Sequence, residues 1–164
     1  MNEHEDTGVG AAARERREAL LMRAGGLAFA LYADECEGLT PWAEPAPLPH
    51  APACVLGVVS VRGRMRTVLD PARLFETLGF GAGRRAEAFA HVASLAGDEQ
   101  LALASETAAA RVTLDARDLA PAPDAASLPA RATFSNGGET VYLLDPSRLF
   151  DAALTGTERR RRRT

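Results

Sequence analysis

Asp70 and Asp145 occupy the same place in a segment that the chain uses twice. Arg64–Phe75 returns 75 positions later as Glu139–Phe150, with identity at six of twelve positions, all within Leu-Asp-Pro-x-Arg-Leu-Phe. Two carboxylates brought into one cleft could divide general acid and base work between them. The local sequence gives them a different task. Each precedes a proline and a short amphipathic stretch, the pattern of a helix N-cap whose side-chain oxygen accepts from the first free N–H groups. A cap of this kind contributes about 1 kcal/mol. On this reading Leu74, Phe75, Leu149 and Phe150 close the bottoms of two cores, and Arg73 and Arg148 face solvent or nearby acids.

The other reactive residue types are scattered. His4, His50 and His91 have no carboxylate or cysteine at ligand spacing, so no metal site is expected. Cys36 and Cys54 are too few for a disulfide framework and lack zinc spacing; reduced, partly buried thiols are expected. No serine or cysteine sits in a nucleophile elbow. The glycines of Gly79–Gly83 follow a helix instead of opening one, which is the wrong context for a phosphate cradle. No catalytic residues and no cofactor are therefore assigned. Arg62 stands apart. Beside Gly63 at a hairpin tip, it is either a solvated turn residue or a charged recognition residue on a rigid platform.

The elements that would position these residues come in two matching sets. Val55–Val61 and Arg64–Leu69 flank Arg62-Gly63 as a β-hairpin, and Asp70-Pro71 opens a helix ending near Gly79. Ala132–Ser135 and Thr140–Leu144 flank Asn136-Gly137-Gly138, and Asp145-Pro146 opens a last helix expected to stop at Gly156. A proline-rich stretch precedes each hairpin, Pro41–Pro52 and Ala120–Pro129. The first cannot be helix or central strand and is a surface connection across a barrel end or a ligand for a proline-reading module; the second reads as another proline-rich connection. Leu27–Tyr32 predicts a strand, and the alternation on either side of Gly97-Asp98 predicts a hairpin. Residues 106–112 fit helix or strand. Ala11–Ala24, rich in Ala, Arg, Glu and Leu and closed by Gly25-Gly26, predicts a helix.

Composition sets bounds. At 164 residues the chain accommodates one domain or two intimate subdomains. Lysine is absent, and the net charge of −3 hides an asymmetry: upstream of the tail Glu158–Arg163 the charge is about −7. An acidic body argues against a nucleic-acid face, which needs clustered cations. The arginine tail reads as a solvated, disordered terminus or as a tether to an acidic partner or membrane surface. The N-terminus has no apolar leader and no run reaches membrane-spanning length, so a cytoplasmic location is the default expectation.

Leu48–Phe75 resembles the core of CheW-like domains, the coupling modules of bacterial chemosensory systems. The family's Leu-Gly-Val-x-Asn-Leu-Arg-Gly and Pro-Val-Val-Asp-Leu strings are matched by Gly57, Val58, Val59, Ser60, Val61, Arg62, Gly63 and by Val68, Leu69, Asp70. The resemblance covers roughly residues 25–154 and implies a mainly β fold of two five-stranded, SH3-like barrels related by a pseudo-twofold. Residues 1–24 would then be an N-terminal extension with its helix, and residues 155–164 a tail. It implies no enzymatic activity. It implies bridging between a chemoreceptor tip, held near the barrel junction, and a CheA-type histidine kinase, held at barrel ends. Arg62 with Gly63, Val58, Ser60, Val61 and Glu37 form the candidate partner-binding set.

The sequence also departs from the family pattern. Ser60 and Val61 replace Asn and Leu, and Ser105 replaces an aspartate. The family's strand glutamate falls on Gly38, with Glu37 one step away, where strand alternation reverses the face. A second expectation is therefore an interaction module of the same fold without receptor or kinase coupling. A third, a small enzyme between the barrels, would need a convergent set of titratable groups.

Overall fold

The computed structural model describes residues 16–80, 86–97, 100–123 and 128–163. Among them are ten strands: β1 (Arg17–Ala24), β2 (Leu27–Tyr32), β3 (Cys36–Pro41), β4 (Val55–Val61), β5 (Arg64–Leu69), β6 (His91–Leu95), β7 (Leu101–Ser105), β8 (Ala110–Leu114), β9 (Ala130–Asn136) and β10 (Glu139–Leu144). Helix α1 spans Pro71–Thr77 and α2 spans Pro146–Arg163. The strands form two five-stranded curled sheets, ordered β8-β1-β2-β10-β9 and β3-β6-β7-β5-β4.

The two sheets are copies that trade strands. In each, a hairpin followed by a helix (β4-β5-α1, β9-β10-α2) lies beside a hairpin from the other half of the sequence (β6-β7, β1-β2). The joining pairs are parallel, β5 with β7 and β10 with β2. Thr67 pairs with Leu101 in one sheet, and Tyr142, 75 positions after Thr67, pairs with Phe29 in the other. The proline-rich crossings match as well. Ala46 bridges Val58 and Ala120 bridges Thr133, each through a reciprocal pair of backbone hydrogen bonds. Both stretches are therefore connections packed on their own hairpins. At Gly57 a Cβ would come within 2.3 Å of the Ala46 carbonyl oxygen, so glycine is required for that approach.

Burial follows from the alternation of strand side chains. Leu27, Phe29 and Leu31 of β2 enter a core shared by both sheets, whereas Ala28, Ala30 and Tyr32 fill the interior of the first barrel. In β7, Leu101 and Leu103 face the shared core and Ala102 and Ala104 the second barrel. Alanine suits the narrow barrel interiors and the larger residues suit the space between the sheets.

This two-sided burial corrects the expected helix over 11–24. Residues 17–24 are strand β1, paired to β2 and β8; residues 11–15 lie outside the described residues. Leu20, Met22 and Ala24 face the shared core while Ala19 and Leu21 face the first barrel. A contiguous apolar run buried on both faces is a central strand, whatever its helix propensity. Residues 106–112 resolve partly as strand, from Ala110. At the other end, α2 passes Gly156 and continues to Arg163, so the helix extends through the segment expected as an irregular tail. Phe150 also departs from expectation: its repeat partner Phe75 is 1% exposed, but Phe150 is 43% exposed on α2.

The repeated aspartates are caps. Asp70 Oδ1 accepts from the N–H groups of Ala72 and Arg73 at 3.0 and 3.4 Å, and Asp145 Oδ1 from that of Ser147 at 3.1 Å. Their own N–H groups donate to Cys54 and Pro129, again 75 positions apart. Arg148 donates to the Ala130 carbonyl at 3.3 Å, and Arg73 lies 3.6 Å from Asp70. Burial pushes the Asp70 carboxyl above its usual range, against the opposing pull of the Arg73 and Ala72 donors. A carboxyl whose folded pKa is raised favours the fold at acid pH and loses that contribution as pH rises through the raised value. The cap's hydrogen bonds remain at neutral pH, and Asp70→Ala is expected to cost about 1 kcal/mol there. Asp70→Asn, which keeps an acceptor without a buried charge, is expected to cost less. Urea unfolding of both variants checks the order; equal losses would refute the capping role.

Candidate functional site

The two-residue turn between β4 and β5 puts Arg62 and Gly63 at φ 50° and 78°. Both central residues of this hairpin turn need positive φ, so that its twist matches the strands. The second copy meets the demand with Gly137 and Gly138, at 59° and 82°. Arg62 holds the place of Gly137, and a non-glycine residue there costs about 1–2 kcal/mol. Among the described residues no hydrogen bond or ion pair of that arginine offsets the cost.

Arg62, Arg64 and Arg66 follow one another at strand period two along the hairpin. Arg62 and Arg64 are exposed, whereas Arg66 is 3% exposed, in line with the buried Val68. The Arg62 guanidinium lies over Gly38 of β3, where an added Cβ would be 3.6 Å from its nitrogens. Arg66 donates to the Leu95 carbonyl at 2.9 Å and forms an ion pair with Glu37. Its Nε and the Oγ of Ser94 are buried without a hydrogen-bond partner. These residues, with Thr40 and Val61, line a cavity of about 150 Å³ at the open end of the second barrel.

Glu37 reaches this cavity because β3 is irregular there. The pairing with β6 shifts between Cys36 and Gly38, so that Cys36 faces Leu95 and Gly38 faces Ser94. The extra residue of this bulge is Glu37, and a bulge cancels the strict reversal of faces expected one step from Gly38. Glu37 and Gly38 thus line the same cavity. The carboxylate pairs with Arg66, and Arg62 is left uncovered.

Of the sequence-derived set, the cavity gathers Arg62, Val61 and Glu37. Gly63 forms the tip, with open space around its missing Cβ. Val58 and Ser60 alternate with the inward Val59 and lie on the other face of β4. Gly38, read from sequence as a departure from the family pattern, also lines the cavity, whereas Arg64, Arg66 and Ser94 were not singled out from sequence. Their signal was available in the repeat, where Arg64 and Arg66 stand opposite Glu139 and Val141. Ser105, at the family's aspartate position, is a buried packing residue: its hydroxyl donates to Thr107 O at 2.7 Å and accepts from the Thr107 N–H.

A second hollow, of about 300 Å³, lies where the sheets meet, between the β6–β7 turn and the start of α2; Glu35, Leu95, Gln100 and Ser147 are among its walls. Among the described residues no group of three or more His, Cys, Asp or Glu side chains is placed to hold a metal ion, and no helix is long and apolar enough to cross a membrane. Desolvation pushes both thiols up, Cys54 to about 11, so both are protonated at neutral pH.

Paired five-stranded barrels with a charged hairpin at the end of one define a double SH3-like β fold. The chain belongs to the CheW-like domain family, whose model matches residues 18–154. It is 28% identical over 111 residues to the chemotaxis protein CheW of Rhizobium meliloti (strain 1021), covering 68% of this chain and 70% of that protein. Its fold is similar to that of the scaffolding protein TtCheW from Thermoanaerobacter tengcongensis, with a TM-score of 0.66 at 14% identity over 82% of this chain and 92% of that one.

Proposed function

We propose that this chain is a non-enzymatic, cytoplasmic adaptor that couples a chemoreceptor tip to a CheA-type histidine kinase in a chemosensory pathway. The observation that carries the reading is the asymmetry of the repeat. Two hairpins share one backbone design, and one of them alone carries an arginine where the turn calls for glycine. Backbone strain held at an exposed tip without structural benefit points to a contact made outside the chain. Family membership and the name of the Rhizobium relative supply the pathway. The hollow at the barrel junction suits the receptor, and the arginine-bearing barrel end suits the kinase.

Coupling of this kind needs no chemistry, only simultaneous docking on two faces that fixes the geometry between partners. The test is co-sedimentation of the purified chain with a CheA-type kinase and a receptor cytoplasmic fragment from the same organism. A complex containing all three is expected. Failure to bind either partner would overturn the proposal. It would favour a module of this fold serving a different protein, the reading to which Gly38 and Ser105 lend weight as departures from the family pattern.

A further inference from the structure

We propose that the open end of the second barrel is a carboxylate pocket, built to receive one aspartate or glutamate side chain of a docking protein. This deepens the adaptor reading and rests on it for the source of the carboxylate; the pocket's chemistry stands on the geometry alone. Three guanidinium groups line the cavity with one carboxylate, two positive charges in excess. That carboxylate, on Glu37, is engaged by Arg66. Arg62 and Arg64 have no hydrogen-bond or ion-pair partner among the described residues. Like charges crowded at one mouth repel unless an anion joins them.

Buried donors mark the same place. Arg66, with 4% of its side chain exposed, has an unpartnered Nε, and Ser94, 2% exposed, has an unpartnered hydroxyl. Unsatisfied buried donors are uncommon, and two of the four unpaired buried polar atoms among the described residues lie beside this one basic cavity, where an acceptor would satisfy them. An arginine fork matches the two oxygens of a carboxylate. The cavity, about 150 Å³, is several times the roughly 10–15 Å³ that one water needs on the same measure, which leaves room for a group of acetate size. The other barrel serves as an internal control. At the positions of Arg62, Arg64 and Arg66 it has Gly137, Glu139 and Val141, and it folds the same hairpin without the cations. Gly38 completes the site by leaving the Arg62 guanidinium uncovered.

The test is an NMR titration of the full-length chain, with arginine side chains labelled, using sodium acetate against sodium chloride at constant ionic strength. Saturable shifts are expected at the Arg62, Arg64 and Arg66 Nε–H signals, with distant Arg111 and Arg117 unmoved. Arg64→Gln, an exposed substitution, should weaken acetate about tenfold, the loss of one charge-assisted hydrogen bond. Gly38→Glu should abolish it by supplying a carboxylate in cis. Shifts that stay linear and spread over all surface arginines would overturn the proposal, as would acetate affinity unchanged in both variants. Inorganic phosphate is the second arm: saturable phosphate binding with no acetate response would overturn the carboxylate assignment. Co-sedimentation with kinase and receptor separates the two readings. Partner binding without acetate binding sinks the pocket alone, and acetate binding without partner binding sinks the adaptor reading alone.

Discussion

Arg62→Glu is expected to abolish docking to at least one partner, weakening it by about two orders of magnitude or more, while the thermal midpoint stays within a few degrees of the parent. Reversing a desolvated charge at an interface replaces attraction with repulsion, which costs several kcal/mol, and every 1.4 kcal/mol is tenfold in affinity. The fold should not notice, because the side chain is exposed and has no partner among the described residues. Arg62→Gly sharpens the test. Gly137 holds the equivalent place at φ 59°, close to the 50° of Arg62, so glycine fits the turn better than the native residue. Relief of left-handed strain, less the greater freedom glycine brings to the unfolded chain, gives a gain of about 0.5–1 kcal/mol. One substitution should therefore stabilise the protein and weaken docking together. Co-sedimentation and urea unfolding read the two effects separately. Full binding by both variants to kinase and receptor would remove Arg62 from the site.

What could be read from the sequence was what is local. The β4-β5 hairpin, its turn, the Asp-Pro caps and the doubling of the motif each depend on a few neighbouring residues, and they appear in the structure as the sequence predicts. What the sequence hid depends on distant pairing. Ala19, Leu20, Leu21 and Met22 have good helix propensity, and β1 is a strand because β2 and β8 flank it and both of its faces are covered. Propensity is a weak prior against burial of that extent. The exchange of strands between the two halves was hidden for the same reason. So was the partner of Arg66, which lies 29 positions away on a bulge that no turn residue announces. At Arg62 local and global demands disagree, and such disagreements gather at functional positions.

The exchange of strands also governs how the molecule should come apart. Phe29→Ala is expected to lower stability by about 3–5 kcal/mol, the range for removing a fully buried aromatic ring. That is a large share of the roughly 5–15 kcal/mol available to a domain. Phe29 is 0% exposed on β2, paired across the sheet with Met22 and Tyr142, and belongs to the core that also holds Leu69, Leu74 and Leu103 of the other sheet and its helix. The ring sits in the first sheet, but its loss should be felt in the second. The single tryptophan, Trp42, reports on that second barrel, where it packs against Phe89 with ring centroids 5.0 Å apart. Urea unfolding followed by Trp42 fluorescence and by far-ultraviolet circular dichroism should therefore shift to one lower midpoint in the variant. Each sheet takes strands from both halves of the chain, so neither can keep its pairing after the other opens. A Trp42 transition that held its midpoint while the dichroism moved would show two independent barrels and refute the shared core as the unit of stability. The repeat partner of a buried ring gives the contrast: Phe150→Ala, at an exposed position on α2, should cost less than about 1 kcal/mol.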